Sequence, residues 1–187
     1  MLFALAAIAF AFLLALVVLR FAAIDYDRTG ELSRRSGLFV WLLYLAHADS
    51  VVAAAYAAEL VVPVPRALAM AVGVPIGVAG FVLFLWSAVA LARSIEQGGT
   101  LVTAGPFAVS RHPQNMGWTL LLLGIALAAR SPLAVVLVLV FMVFIHRLAI
   151  LEERHLSARF GAAYAGYRDR TPRLLRMPTL RSTTRSA

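Results

Sequence analysis

Five apolar stretches, separated by short polar interruptions, organise most of the chain: 2–24, 37–62, 66–92, 113–130 and 132–151. An α-helix rises about 1.5 Å per residue, so crossing roughly 30 Å of hydrocarbon takes about 20 apolar residues. Four stretches reach that length, and the fourth falls slightly short of it. The pattern predicts an all-α integral membrane protein with about five transmembrane helices. Pro63 and Pro65 separate the second helix from the third. Arg130, Ser131 and Pro132 leave room only for a tight turn, so the fourth and fifth helices must be antiparallel neighbours. The first stretch reads as a retained transmembrane helix and not as a signal peptide, since no basic residue precedes it and its apolar run is longer than a signal-peptide core. Its first positive charge, Arg20, comes at the far end.

Composition agrees with the pattern. Of 187 residues, 62% are hydrophobic and 14% charged, with a mean hydropathy of +0.87. A soluble chain of this size has too little interior to hide so much apolar surface. Without cysteine, disulfides, thiolate metal sites and a cysteine nucleophile are excluded. The net charge is +8, carried entirely by arginine. In a membrane chain this signals basic loops against anionic lipid, not nucleic-acid binding.

The arginines are also one-sided. With the N-terminus outside, segments 25–36, 93–112 and 152–187 face the cytoplasm and carry nearly all of them, leaving Arg66 and Arg130 outside. An Arg-, Ala- and Val-rich composition is that of a GC-rich bacterial genome, so the expected location is a bacterial inner membrane. The chain divides into an N-terminal part, 1–92, with three lipid-facing helices, and a part, 93–187, whose helical hairpin carries a cytoplasmic tail. Residues 182–187 read as disordered.

The chemistry-bearing residues gather at that cytoplasmic edge. Pro113 suits the first position of a helix, which puts Arg111 and His112 at a helix mouth favouring anions. The fifth helix returns to Glu152 and Glu153, two carboxylates where the helix dipole prefers cations. Antiparallel pairing brings all four to one membrane depth. Such a cluster suits a zwitterionic ligand with an additional cationic centre, or it is simply a set of interfacial salt bridges anchoring the hairpin.

The ordered run Gly105-Pro106-Phe107, Arg111-His112-Pro113, Gly117, Glu152-Glu153, Phe160-Gly161, Tyr164, Tyr167 and Pro172-Arg173 resembles the isoprenylcysteine carboxyl methyltransferase and phospholipid methyltransferase superfamily. The resemblance covers roughly residues 98–178. It implies a membrane enzyme that uses S-adenosylmethionine to methylate a lipophilic or small acceptor, with the tail capping the site. The residues it implies for the cofactor are Phe107, Arg111, His112, Pro113, Asn115, Gly117, Glu152, Glu153, Tyr164 and Tyr167. Arg173 and Glu152 are the residues it implies for catalysis, Arg173 orienting an anionic acceptor or else meeting lipid headgroups. Asn115 and Phe107 both stand where that pattern usually has Tyr.

Two other readings remain. NADPH-dependent membrane sterol and steroid reductases resemble the same half through an Arg-His-Pro-Asn-Tyr run. The adjacent Glu152–Glu153 pair and the short chain favour the methyltransferase branch. A non-catalytic scaffold or transport subunit is the alternative outside enzymes. His47 and Asp49 lie in the second helix but not on one face, and either line an acceptor pocket or tie neighbouring helices together. Glu59 and Arg66 pair near the outer end, and Glu96, just inside the cytoplasmic end of the third helix, is a further candidate for either site. The four histidines have no metal-ligand spacing, and no Gly-x-Ser-x-Gly is present. Oligomeric state and the methylated atom have no sequence signal.

Overall fold

A computed structural model describes residues 2–29, 32–57 and 61–174 of the chain. These form five α-helices: α1 (Leu2–Thr29), α2 (Arg34–Ala57), α3 (Arg66–Glu96), α4 (Pro113–Ala128) and α5 (Pro132–Arg170). A short 3-10 turn, Gly105–Ala108, lies in the loop before α4. Four helices, all but α4, are long and apolar enough to cross a membrane. The 16 residues of α4 span about 24 Å at 1.5 Å per residue. Glu59 and residues 182–187 lie outside the described residues.

The helices differ from the apolar stretches mainly at their polar ends. α1 continues past Ile24 to Thr29, and α3 past Ala92 to Glu96. The largest difference is α5, which runs on from Leu151 to Arg170. Hydropathy could not register this extension, because its residues are polar. Nineteen residues expected in a tail are therefore helical, interrupted at Gly161 by φ 51° and ψ −123°. A side chain there would be strained although the space around the residue is empty.

The turn between α4 and α5 is as tight as expected. Arg130 adopts φ 58°, and the Ser131 hydroxyl caps α5 by accepting from Ala134 N at 3.2 Å. Ser131 N in turn donates to Ala126 O, closing the end of α4.

α3 and α4 pack backbone to backbone. A Cβ on Gly117 would lie 2.5 Å from Phe84 N and 2.8 Å from Gly80 O. A Cβ on Gly124 would lie 2.4 Å from Gly77 N. Between helices in lipid, where apolar burial drives little, such close approach supplies the dispersion contacts that hold a pair together. The remaining core lies among α1, α2, α4 and α5, where Val18, Leu43, Phe141 and Ile145 pack in one cluster and Val51, Leu122 and Val138 in another.

Replacing Gly117 by Ala forces α3 and α4 apart. We expect a destabilisation of roughly 1–3 kcal/mol, the usual cost of overpacking, seen as a lower unfolding temperature in detergent. Gly37, in α2 with open space around it, is the control: Gly37→Ala should leave the protein unchanged or more stable.

Candidate functional site

Glu153 is the centre of the polar cluster. It sits on α5, 7% exposed, where an unpaired carboxylate would be costly. Three cations meet it. Arg173 forks onto it, Nε donating to Oε1 at 2.9 Å and Nη2 to Oε2 at 2.7 Å. Arg111 Nη2 lies 3.2 Å from Oε1, and His112 Nε2 lies 3.1 Å from the same oxygen. The other ring nitrogen of His112 faces Glu152 Oε2 at 3.5 Å. Glu152 is the solvent-facing member of the pair, its side chain 44% exposed.

His112 is buried, and burial opposes its charge. The hydrogen bonds from both glutamates and their negative charges outweigh that and raise it to about 9. It is therefore an imidazolium at neutral pH. It also occupies the position before α4, with Pro113 first in the helix, and no side chain caps the helix there. The first turn of α4 thus offers its N–H groups toward the cluster.

The segment after α5 is fastened over these residues. Arg111 N donates to Pro172 O at 2.9 Å, and the Ser110 hydroxyl donates to Arg173 O at 2.9 Å. Ser110 Oγ also accepts from His112 N at 3.2 Å. The break at Gly161 turns the last part of α5 back toward the loop. Tyr167 there donates to Phe107 O at 2.7 Å, and the buried Tyr164 packs edge-on against it. The Tyr164 hydroxyl is buried without a partner, and so are Nε and Nη1 of Arg111.

The structure therefore brings together Arg111, His112, Glu152, Glu153 and Arg173, with Pro113, Phe107, Tyr164 and Tyr167 around them. Two expected residues lie elsewhere in their contacts. Gly117 is one turn further along α4, in the interface with α3, where its missing side chain admits Phe84 and Gly80. Asn115 points to α2, where its Oδ1 accepts from the Tyr44 hydroxyl. Tyr44 itself had no sequence signal, since one Tyr in an apolar helix looks like core. Tyr26, at the far end of α1, is also near: it stacks on His155 at 5.4 Å between ring centroids.

His47 and Asp49 stand apart from this site. The His47 ring lies flat on Phe141 of α5, 3.6 Å between centroids. It joins α2 to α5 through this stacking. Asp49 is exposed on the other side of the helix, and Glu96 is exposed at the end of α3. An apolar cavity of about 310 Å³, lined by Val62, Leu68, Arg130 and Val135, lies at the opposite end of the bundle.

The profile of the phospholipid methyltransferase family matches residues 68–163, just over half of the chain, and the protein belongs to this family. That segment holds Arg111, His112, Glu152 and Glu153. It is a membrane methyltransferase of the phospholipid and isoprenylcysteine type. No curated protein and no solved structure matches the chain.

The charge on His112 makes the cluster sensitive to alkali. Its folded value lies above the ordinary 6.5. Its contribution to stability is thus complete below about pH 6.5 and is lost as pH rises through about 9. Unfolding temperature measured from pH 6 to 10 should fall across that window, and His112→Asn should flatten the fall. Glu153→Gln removes the charge that three cations share, and should cost about 3–5 kcal/mol of stability at neutral pH.

Proposed function

We propose that the cluster around Glu153 binds S-adenosylmethionine and that the protein methylates a lipophilic acceptor at the cytoplasmic face of the membrane. The observation that carries this reading is Arg111. It is a guanidinium buried inside a methyltransferase-family segment, with Nε and Nη1 unpartnered although Nη2 is engaged. The two free donors leave different sides of the guanidinium, and each suits an anionic oxygen; the uncapped first turn of α4 supplies further N–H groups beside them. Half-exposed Glu152 suits the cationic amine of the same ligand. The Tyr164 hydroxyl, buried and free, is a donor for a ribose or adenine acceptor atom, and Phe107 and Tyr167 supply ring faces. The residues present thus fit the cofactor.

The cofactor supplies a methyl group on a cationic sulfur, so the protein needs chiefly to align the acceptor and exclude water. Glu153 does this indirectly, by holding Arg111, His112 and Arg173 in register. Arg173 has Nε and Nη2 committed to Glu153, so its part is to latch the segment 171–174 over the site. The cavity left among His112, Asn115, His146 and Arg173 is about 30 Å³, room for about one water molecule. A nucleoside-sized ligand enters by lifting this segment from the loop at 110–112, and water is shut out when it returns. The N-terminal helices, 1–92, then form the lipid-facing side. The positive-inside distribution of arginine supports the cytoplasmic placement of the site.

S-adenosylhomocysteine should raise the unfolding temperature of the purified protein, whereas NADPH should not. At about 100 times its Kd, a ligand that binds only the folded state adds roughly 2.7 kcal/mol. Arg111→Gln and Glu152→Gln should each abolish the rise while leaving the folded protein intact. Stabilisation by NADPH instead would replace this reading with a reductase, and a normal rise in both variants would remove the site assignment.

A further inference from the structure

The end of the bundle away from Glu153 carries Arg66 and Arg130, and neither takes part in the site described above. Segments 57–66 and 128–132 hold these two cations against one acid, Glu59. Arg66 is exposed at the first position of α3, where no side chain caps the helix and the dipole disfavours a cation. Arg130 stands in the turn between α4 and α5 at φ 58°. Glycine takes such a backbone without strain, so what arginine adds there is its guanidinium. That group is already positioned: Nη1 donates to Val64 O at 3.1 Å, and the Arg130 carbonyl accepts from Val62 N at 3.0 Å. The bond to Val64 uses one of the five donors a guanidinium carries.

Two cavities meet at Arg130. The apolar one, about 310 Å³, is a crevice at the start of α3 and α5, lined by Leu68 and Val72 from α3, Leu127 from α4 and Val135 from α5. Its volume is that of a small-ligand site, roughly 300–1,000 Å³. Leu68 and Val72 are also exposed on the surface of the bundle, so the crevice opens toward hydrocarbon. The other cavity, about 400 Å³, has Arg66, Arg130 and Tyr56 in its lining. Tyr56 is 87% exposed, and an exposed tyrosine beside arginines at the end of a spanning helix marks the level of lipid headgroups. An apolar crevice joined to a cavity that two cations share matches the two parts of a phospholipid, its chain and its phosphate.

We propose that this end of the bundle holds a phospholipid with a net negative headgroup, drawn from the leaflet opposite the Glu153 cluster. Its phosphate lies between Arg66 and Arg130, and one acyl chain fills the crevice between α3 and α5. Even with Glu59 paired to Arg66, one positive charge remains for the headgroup. A choline headgroup would bring its own cation to the two guanidiniums, whereas a glycerol headgroup brings none. The lipid is a fixed component and not a methyl acceptor, because the stretch of α5 from Pro132 to Glu153 sets it about 30 Å from the cluster. Bound there, it ties the 62–65 segment and α3 to the turn that starts α5. The inference is independent of the methyltransferase reading.

The test uses the full-length protein in detergent, titrated with phosphatidylglycerol or with phosphatidylcholine of the same chains and read by native mass spectrometry. One phosphatidylglycerol should bind on the order of tenfold tighter than phosphatidylcholine. Arg66→Gln and Arg130→Gln should each weaken it about fivefold, the usual worth of one cation beside an anionic lipid. Val72→Phe, which fills the crevice, should weaken both lipids. Arg66 and Val72 are exposed, so these two variants read the site even where Arg130→Gln loosens the turn. Glycerol phosphate, a headgroup without chains, should not displace the lipid. Arg34→Gln/Arg35→Gln, in a basic segment at the other end of the bundle, should leave the preference unchanged. A preference that survives in Arg66→Gln/Arg130→Gln, or that Arg34→Gln/Arg35→Gln removes, overturns the proposal. Displacement by glycerol phosphate, or full binding by Val72→Phe, overturns it as well, since the crevice would then take no part.

Discussion

A carboxylate inside a protein must be neutralised and hydrogen-bonded where it stands, and Glu153 imposes that demand on three separate parts of the chain. Arg111 and His112 come from the loop before α4, Arg173 from the segment after α5, and Glu153 from α5 itself. Neither the loop nor the closing segment is long enough to fix its own conformation. Their shared ion supplies the fixing. Backbone bonds from Arg111 N to Pro172 O and from Ser110 to Arg173 O then turn an electrostatic cluster into a closed structure. The three cations carry more donors than Glu153 has lone pairs, which leaves donors of Arg111 unspent. A site with unspent, buried donors is prepared for an anion.

The glycines of α3 and α4 set where this cluster sits. Because Gly80 and Gly117 let the two backbones touch, α4 cannot slide along α3, so its first turn is held at one depth. The Ser131 cap fixes the other end of α4 against the start of α5. With both ends of α4 set, Glu153, 21 residues beyond Pro132 in α5, is delivered to the level of His112. At about 1.5 Å per residue that length covers roughly the hydrocarbon thickness. The polar cluster therefore lies at a membrane boundary because of helix length, and the glycine contact makes the boundary reproducible.

How much of this the sequence discloses depends on whether a feature repeats along one element or arises between elements. Helix count, the tight turn and the meeting of Arg111, His112, Glu152 and Glu153 are all legible, since apolar length and one short turn force them. The continuation of α5 to Arg170 is not, because a helix lying beyond the bilayer loses the apolar signal that identified it. The part played by Gly117 is equally hidden. A glycine at a helix mouth in a ligand-like motif reads as a cradle, whereas its missing Cβ admits Phe84 of a neighbouring helix. Tyr44 illustrates the same difficulty. Its hydroxyl meets Asn115 across 71 positions of sequence, and no local pattern encodes such a pair.

α5 joins these separate facts into one device. Its 39 residues would extend about 58 Å if straight, far more than a bilayer requires. The surplus carries Glu152 and Glu153 at the boundary and, beyond the break at Gly161, Tyr164 and Tyr167 back against the loop. An acceptor dissolved in the bilayer and a donor dissolved in water can react only where a single scaffold reaches both phases with fixed spacing. A continuous helix supplies that spacing, because its residues cannot change their separation without breaking backbone hydrogen bonds. Movement is thereby assigned to the closing segment 171–174, which is held to the loop at 110–112 by two hydrogen bonds and the Arg173–Glu153 pair. In the proposed reaction the rigid element measures the distance between the two substrates, and the segment held by few bonds admits one of them.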